Sequence, residues 1–286
     1  MSDYESQLRA IVGAVQVLSN ERARVRGARG EQQEVVIANE RGPFLGLAEA
    51  LYAAHYSPLP FDVPAPEIAP DAFFAELRAA NPIRLRYEGG AHPAPRELVT
   101  GPYGHYMILG RTVHDPSTGR QVRFYWSLAP EGAAAFLREI GARLERRRIP
   151  FQAKVPVRPD GYGRTDAGVL YLGDDDVAAA SDAIAATYRA LRGSLREPVP
   201  MFSRALAPGL SFAESPPTRD SFGMHRCDLI AEGLVWAFER DAGDDDARYA
   251  VLRERLTKYG FVLGAFERNP TSCYPYPFDA IAVEAA

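Results

Sequence analysis

The chain has 286 residues, a formal net charge of −4 at pH 7, 47% hydrophobic residues and 24% charged residues. This composition is typical of a globular protein with a substantial core, and it argues against a collagen-like, disordered or disulfide-rich chain. The mildly acidic balance argues against a general nucleic-acid-binding protein, which would carry a basic excess.

The sequence carries no membrane or secretion signal. Its apolar stretches fall far below the about 20 residues that span a bilayer, and the polar, acidic start MSDYESQLRA does not match a secretory signal. Cys227 and Cys273 cannot form a disulfide framework and are expected to be free thiols. We therefore expect a cytoplasmic protein that has neither a membrane nor a nucleic acid as its partner.

The N-terminal quarter of the chain is predicted to be helical. Apolar residues at helical spacing predict one helix over 4–26 and another over 43–55. The stretch SPLPFDVPAPEIAP at 57–70 contains five prolines, which exclude regular structure. We place the domain boundary there, between an N-terminal helical segment with its connector (1–70), packed on the body, and an α+β body (71–286).

The body combines short strands with amphipathic helices. Asp71 is predicted to cap a helix that ends at Pro82. Strands are predicted over 83–88, 96–101, 104–111, 121–128, 151–157, 168–172, 201–206 and 210–214. Further helices are predicted over 129–148, 176–192, 222–240 and 246–258. Because βαβ units do not alternate regularly, the pattern favours the α+β class, with a mixed, largely antiparallel sheet flanked by helices.

Motifs for nucleotides, metals and serine hydrolysis are missing from the sequence. It contains neither GxxxxGK[ST] nor a GxGxxG after a strand. The five histidines are scattered, and a metal-like spacing joins only His225 to Cys227, so we predict no metal site. Ser203 and Ser221 lack the G-x-S-x-G elbow of a hydrolase nucleophile.

Cations on predicted strands form the pattern that remains. The period of two puts Arg123 and Tyr125 on one face of QVRFYWSL, and Lys154 is the one charged residue of FQAKVPV. Of the 33 basic residues only two are Lys, so few amines could act as a base. Three more arginines lie near strand or helix ends: Arg164, Arg204 and Arg226. Guanidinium groups suit a phosphate site, although a solvated edge or a carboxylate partner is the alternative for each.

The order of several segments resembles the HopA-type effector family. The segments run from RFYWSLAPEGAAAFLREIGARLERRRIPFQAKV through YGRTDAGVLYL to APGLSFAESP and SFGMHRC, and ALYAAHY precedes them. They lie within residues 45–235. That family includes stand-alone bacterial proteins that look like the lyases of class V lanthipeptide and related peptide-modifying gene clusters. Those lyases are in turn similar, more remotely, to the phosphothreonine lyases of type III secretion.

This resemblance implies β-elimination of phosphate from phosphoserine or phosphothreonine in a ribosomal precursor peptide, giving dehydroamino acids. By match of segments, Lys154 is the base, Arg123 takes the place of a basic residue, and Tyr125 takes the place of a His. Phosphate binding is implied for four arginines: Arg123, Arg164, Arg204 and Arg226. The resemblance implies no cofactor, and it implies a separate kinase and a separate cyclase as partners that act on the same peptide.

The Tyr at position 125 leaves the general acid open. A His titrates near neutrality, whereas a phenol, with an ordinary pKa of about 10, donates less easily yet stays protonated at pH 7. Tyr125, His105 or His225 could act as the acid, or the arginines alone could stabilise the leaving phosphate. Two other functions stay open: a phosphopeptide-binding scaffold with weak or no turnover, and a translocated effector that acts on host proteins.

Overall fold

The structure, a computed structural model, describes residues 3–27, 29–64, 67–83, 96–101, 104–110, 120–218 and 220–281. Two compact units divide the chain. Unit 1 comprises residues 1–61, 200–204 and 213–273, and unit 2 comprises residues 62–199, 205–212 and 274–286. This division differs from a boundary at residue 70, because a long C-terminal stretch groups with the N-terminal segment.

The described residues form two sheets flanked by helices, as the α+β prediction requires. The strands are β1 (Val15–Val17), β2 (Arg22–Arg26), β3 (Gln32–Val36), β4 (Glu97–Val99), β5 (His105–Leu109), β6 (Gln121–Trp126), β7 (Gln152–Pro156), β8 (Gly168–Gly173), β9 (Arg204–Ala207) and β10 (Leu210–Glu214). The helices are α1 (Asp3–Ala14), α2 (Leu45–Leu51), α3 (Pro70–Ala80), α4 (Ala133–Arg147), α5 (Val177–Leu191), α6 (Phe222–Glu239), α7 (Asp245–Lys258) and α8 (Phe278–Ile281).

The larger sheet has the strand order β4-β5-β7-β8-β6-β10-β9. The pairings from β4 through β6 are antiparallel. One face of the sheet carries buried apolar side chains such as Phe124, Trp126 and Leu170, which share a core with residues of α4 and α5. Because side chains alternate along a strand, the residues between them point to the other face, which we call the polar face. It carries the predicted site residues of β6 and β7.

Unit 1 contains the smaller sheet, in which β1, β2 and β3 pair antiparallel in that order. Helix α1 packs against α7, and α2 packs against α6. Leu8 and Val12 of α1 and Leu47 and Leu51 of α2 are fully buried, so apolar faces near the chain start are covered by helices near its end. Burial of such faces is the main favourable contribution to folding.

The helix predicted over 4–26 is wrong beyond Ala14. The chain leaves α1 there and forms the hairpin of β1 and β2, in which Val15 pairs with Val25. Residues 22–26 alternate between exposed and buried positions, which is the period of a strand rather than that of a helix. Asp71 also differs from prediction: it lies in the first turn of α3, whose N-cap is Ala69.

Most other predicted elements are confirmed to within a few residues. The strand predicted over 83–88 lies almost entirely outside the described residues. Cys227 is buried, Cys273 is exposed, and both are free thiols. In the part of the chain that the structure describes, every helix is too short or too polar to cross a membrane.

Candidate functional site

A row of side chains crosses the polar face of the larger sheet. Met107 pairs with Lys154, Lys154 pairs with Val169, and Val169 pairs with Tyr125. Directly paired residues point to the same face, so Lys154 and Tyr125 share it. With about 4.8 Å between neighbouring strands, their Cα atoms lie about 10 Å apart.

Tyr171 lies next to both cations of the polar face. Its ring centroid is 5.7 Å from Lys154 Nζ and 5.5 Å from Arg123 Cζ. Arg123 pairs directly with Tyr171, while Lys154 is its diagonal neighbour across β7 and β8. Cation–π attraction therefore helps to hold two positive charges beside one partly exposed ring. Tyr171 is not among the site residues predicted from the sequence, although the alternation in GVLYL places it on the same face as Val169.

Arg164 lies in the turn before β8 and forms a two-point ion pair with Asp166. Its Nη2 donates to Oδ2 of Asp166 at 2.9 Å, and its Nε donates to Oδ1. The side chain of Asp166 is only 10% exposed, so this carboxylate fixes the orientation of the guanidinium. The sequence offered no signal for this pairing beyond the spacing of two residues.

His105 begins β5 and is electrostatically coupled to the residues around Lys154. Burial, followed by the positive charges of Lys154 and Arg164, lowers the pKa of the imidazole to about 4, against an opposing effect of Asp166. The ring is therefore neutral at pH 7 and cannot act there as an imidazolium acid. His105 therefore lies within electrostatic range of Lys154, Arg164 and Asp166.

Arg226 belongs to unit 1 and is fully buried. Its Nε donates to the carbonyl of Phe266 at 3.0 Å, and its Nη2 donates to the carbonyl of Arg268 at 2.8 Å. Three rings lie within 5.2 Å of its Cζ: Phe222, Phe261 and Phe266. These contacts tie the guanidinium to the interior of unit 1. They support a structural role for Arg226 and lend no support to phosphate binding.

His225 and Arg204 also belong to unit 1. Nδ1 of His225 lies 2.7 Å from Nη1 of Arg226, so the ring accepts a hydrogen bond from the guanidinium. Burial, followed by the charge of Arg226, lowers the pKa of His225 to about 4, and this ring too is neutral at pH 7. Arg204 is about half exposed, and its Nη1 lies 3.9 Å from Oε1 of the buried Glu267.

The predicted site residues thus fall into two groups. Arg123, Tyr125, Lys154 and Arg164 belong to unit 2, where the sheet register and the coupling with His105 bring them together. The other two arginines belong to unit 1. Within the described ranges, no group of three or more His, Cys, Asp or Glu side chains is arranged to hold a metal ion.

Comparisons with known proteins place this chain in a family. The model of the HopA1 effector protein family matches residues 96–263, more than half of the chain. A solved effector protein from Pseudomonas syringae pv. tomato strain DC3000 is similar over 78% of this chain and 90% of its own, with 20% identity and a TM-score of 0.56. Another, from Pseudomonas syringae pv. syringae strain 61, covers 78% and 94%, with 17% identity and a TM-score of 0.53.

At these identities the likeness to the two effector structures shows a shared fold. The search of curated proteins gives no match. The family model, which spans β4 to the loop after α7, includes four of the predicted site residues of unit 2 and both of those in unit 1. The chain belongs to the HopA1 effector protein family.

Proposed function

We propose that this protein is a carbon–oxygen lyase that eliminates phosphate from phosphoserine or phosphothreonine in a ribosomal precursor peptide. The observation that carries the proposal is the polar face, where Lys154 and Arg123 lie beside Tyr171 and Tyr125 completes the row. A base, a phosphate ligand and a proton donor are the groups that such an elimination requires.

Lys154 acts as the base in this proposal. Its unprotonated amine takes the Cα proton of the phosphorylated residue, the electron pair forms the Cα–Cβ double bond, and the Cβ–O bond breaks. The products are inorganic phosphate and dehydroalanine or dehydrobutyrine. Because the charge that develops is carried by phosphate oxygens, the reaction as proposed uses neither a metal nor an organic cofactor.

Arg123 and Arg164 bind the departing phosphate. Guanidinium groups match phosphate oxygens in two-point contacts and neutralise charge as it accumulates on the leaving group. The ion pair with Asp166 holds Arg164 in one orientation, so less side-chain freedom is lost when phosphate binds. Arg204 and Arg226 are left out of this set, because main-chain carbonyls enclose Arg226 and Arg204 lies near the buried carboxylate of Glu267.

Tyr125 is the proposed general acid. It shares a row with Lys154, and it is buried. His105, the other candidate in this unit, is neutral at pH 7 because its pKa is lowered to about 4. A phenol, by contrast, holds its proton at neutral pH and can donate it to the leaving oxygen.

The proposed reaction needs two partner enzymes. A separate kinase must supply the phosphorylated peptide, since the sequence has no nucleotide-binding motif. A separate cyclase would consume the dehydroamino acid, whose electrophilic double bond reacts with thiols. We place all three enzymes and the precursor peptide in the cytoplasm.

The experiment is incubation with a phosphopeptide, followed by mass spectrometry. We expect a loss of about 98 Da, the mass of the phosphoric acid that is eliminated. Lys154→Ala should stop this loss. Lys258→Ala is the matched control, because Lys258 is the other lysine of the chain and lies exposed in α7. Full turnover by Lys154→Ala would overturn the assignment of the base.

A phosphopeptide-binding scaffold is the second candidate, favoured by the Tyr that stands where related lyases have a His. In that case the protein would bind the phosphopeptide without product, and Lys154→Met would leave the affinity unchanged. Detection of the dehydrated product with the wild-type protein rejects the scaffold.

A further inference from the structure

A cleft of about 490 Å³ lies in unit 1, beside the smaller sheet. Strand β1 forms one side of it, and the end of α6 with the following turn forms another. The residues that give the cleft its character are Arg24 and Arg26 of β2, Arg248 of α7, and Leu234 and Phe238 of α6. The proposed elimination in unit 2 makes no use of them.

Three arginines line the cleft. Arg24 and Arg26 alternate with buried residues along β2, so both point to its exposed side. Nη2 of Arg26 donates to the carbonyl of Gly13 at 3.1 Å, and Nη1 of Arg248 donates to the carbonyl of Val15 at 2.6 Å. Two of the three arginines also have an exposed carboxylate partner beside the cleft: Arg24 pairs with Glu34 at 2.8 Å, and Arg248 pairs with Asp245. None of the described residues that line the cleft is acidic, and ion pairs with such exposed carboxylates are weak, so an anionic ligand can compete for these arginines.

The cleft also offers an apolar wall and a sheet edge. Leu234 is buried and Phe238 is 37% exposed at the end of α6. Among the described strands β1 pairs with β2 alone, and the bond from Leu18 N to Arg22 O sets its register. The N–H and C=O of Val17 therefore point away from β2, since such groups alternate along an antiparallel strand.

We propose that this cleft binds an extended acidic peptide segment with apolar residues between its carboxylates. The carboxylates would contact the arginines, the apolar side chains would pack on the exposed part of Phe238, and the main chain would add to the edge of β1, a recurrent mode of peptide recognition. A small inorganic anion would contact only the arginines, and it would leave the apolar wall of the cleft and the edge of β1 uncovered. We identify this segment as the recognition part of the same precursor peptide, separate from its phosphorylated residue, and this identification rests on the proposed function.

Fluorescence polarisation with a labelled peptide tests the proposal. The probe is a fluorescein-labelled peptide of three Glu-Leu-Glu-Ala repeats, and its counterpart carries Lys in place of Glu. We expect the acidic probe to bind and the basic one to fail. Arg24→Gln with Arg26→Gln should weaken binding about tenfold, equivalent to about 1.4 kcal/mol, while Arg22→Gln should leave it unchanged. Arg22 is the matched control, since it lies on the same side of β2 but does not line the cleft.

Equal binding of both probes would overturn the proposal, and so would wild-type affinity in the double variant. A third such outcome is complete displacement of the acidic probe by pyrophosphate when the ionic strength is held constant. A thermal melt of the double variant excludes unfolding as the cause of weak binding. Because Arg24 Nη2 pairs with Glu34 at 2.8 Å on the surface, its removal should cost little stability.

A parallel assay separates this proposal from the proposed function. A short phosphopeptide without acidic residues reports elimination alone, and the double variant should turn it over at the wild-type rate. Lys154→Ala should lose turnover and still bind the acidic probe. Binding without any turnover by the wild-type protein would reject the lyase and retain the peptide cleft, whereas turnover without binding would reject the cleft and retain the lyase.

Discussion

Arginines in the two units have different surroundings, and these surroundings distinguish a structural arginine from one that is accessible to a ligand. Arg226 in unit 1 is fully buried, with main-chain carbonyls and three phenylalanine rings around its guanidinium. Arg123 in unit 2 stays partly exposed beside Tyr171, as does Lys154. A cation enclosed by its own protein stabilises the fold, whereas a partly exposed one keeps access to a ligand. Residue type alone does not distinguish the two.

The largest effect should come from Lys154→Met on the exposed side of this comparison. We expect the elimination rate to fall by about 10²–10⁴, the usual contribution of a general base. The free energy of unfolding should change by less than about 1 kcal/mol, because the side chain is partly solvated. Single-turnover kinetics and urea unfolding measure the two quantities. A large loss of stability would place Lys154 with the structural cations.

Arg226→Met should give the opposite result. We expect the free energy of unfolding to fall by about 3 kcal/mol, because buried carbonyls lose their donors. Arg226→Lys should not restore it, since an ammonium lacks the planar fork. Arg204→Met, at a half-exposed position, is the control and should lie within about 0.5 kcal/mol of wild type. Stable Arg226→Met with lost phosphopeptide binding would reverse the assignment.

Tyr171→Leu should have a smaller effect. Each cation–π contact at a partly exposed ring contributes about 0.5–1 kcal/mol. Losing both should loosen Lys154 and Arg123 and lower kcat/KM by about tenfold. Tyr171→Phe keeps the ring and should retain most activity, which separates the ring from its hydroxyl. Equal loss in both variants would point to the hydroxyl instead.

A last effect concerns stability as a function of pH, because each group of cations has a neutral His beside it. His105 and His225 have pKa values near 4 in the folded protein and about 6.5 in the unfolded chain. Between these values the unfolded chain binds more protons, so stability is complete above pH 6.5 and falls as the pH drops toward 4. Tm should therefore be lower at pH 5 than at pH 7. The decrease in Tm between pH 7 and pH 5 should be smaller in a variant with His105→Gln and His225→Gln. An unchanged decrease would contradict the conclusion that both imidazole rings are neutral in the folded protein.

Local patterns in the sequence predicted most of the fold. The apolar stripe over 176–192 gave α5 to within one residue at each end, and the period of two put Arg123 with Tyr125 on one face. The prediction failed at β1 and β2, where Val15 fits both the apolar stripe of a helix that continues to Leu18 and the alternation of a strand that continues to Val17. There the pairing with β3 decides the conformation, and such pairing is not a local property.

The site depended on the same non-local information. The strand pattern showed that Lys154 points away from Ala153 and Val155, yet its approach to Tyr171 requires β7 to pair with β8 in one register. The burial of Arg226 likewise depends on the loop that contains Phe266 and Arg268, far along the chain. Neither the register of β7 with β8 nor the burial of Arg226 can be predicted from the spacing of residues within one segment.

The discontinuous make-up of unit 1 has a consequence for biosynthesis. Leu8 lies in α1 and Leu47 in α2, and these helices pack against α7 and α6 of the C-terminal third, which leave the ribosome late. The core of unit 2 is likewise incomplete without Phe278, whose ring centroid lies 5.0 Å from that of Phe212. Neither unit can close its core on a nascent chain that stops before residue 222. Both cores therefore form only after these later residues have been synthesised, and until then the early helices expose apolar surface that chaperones can bind.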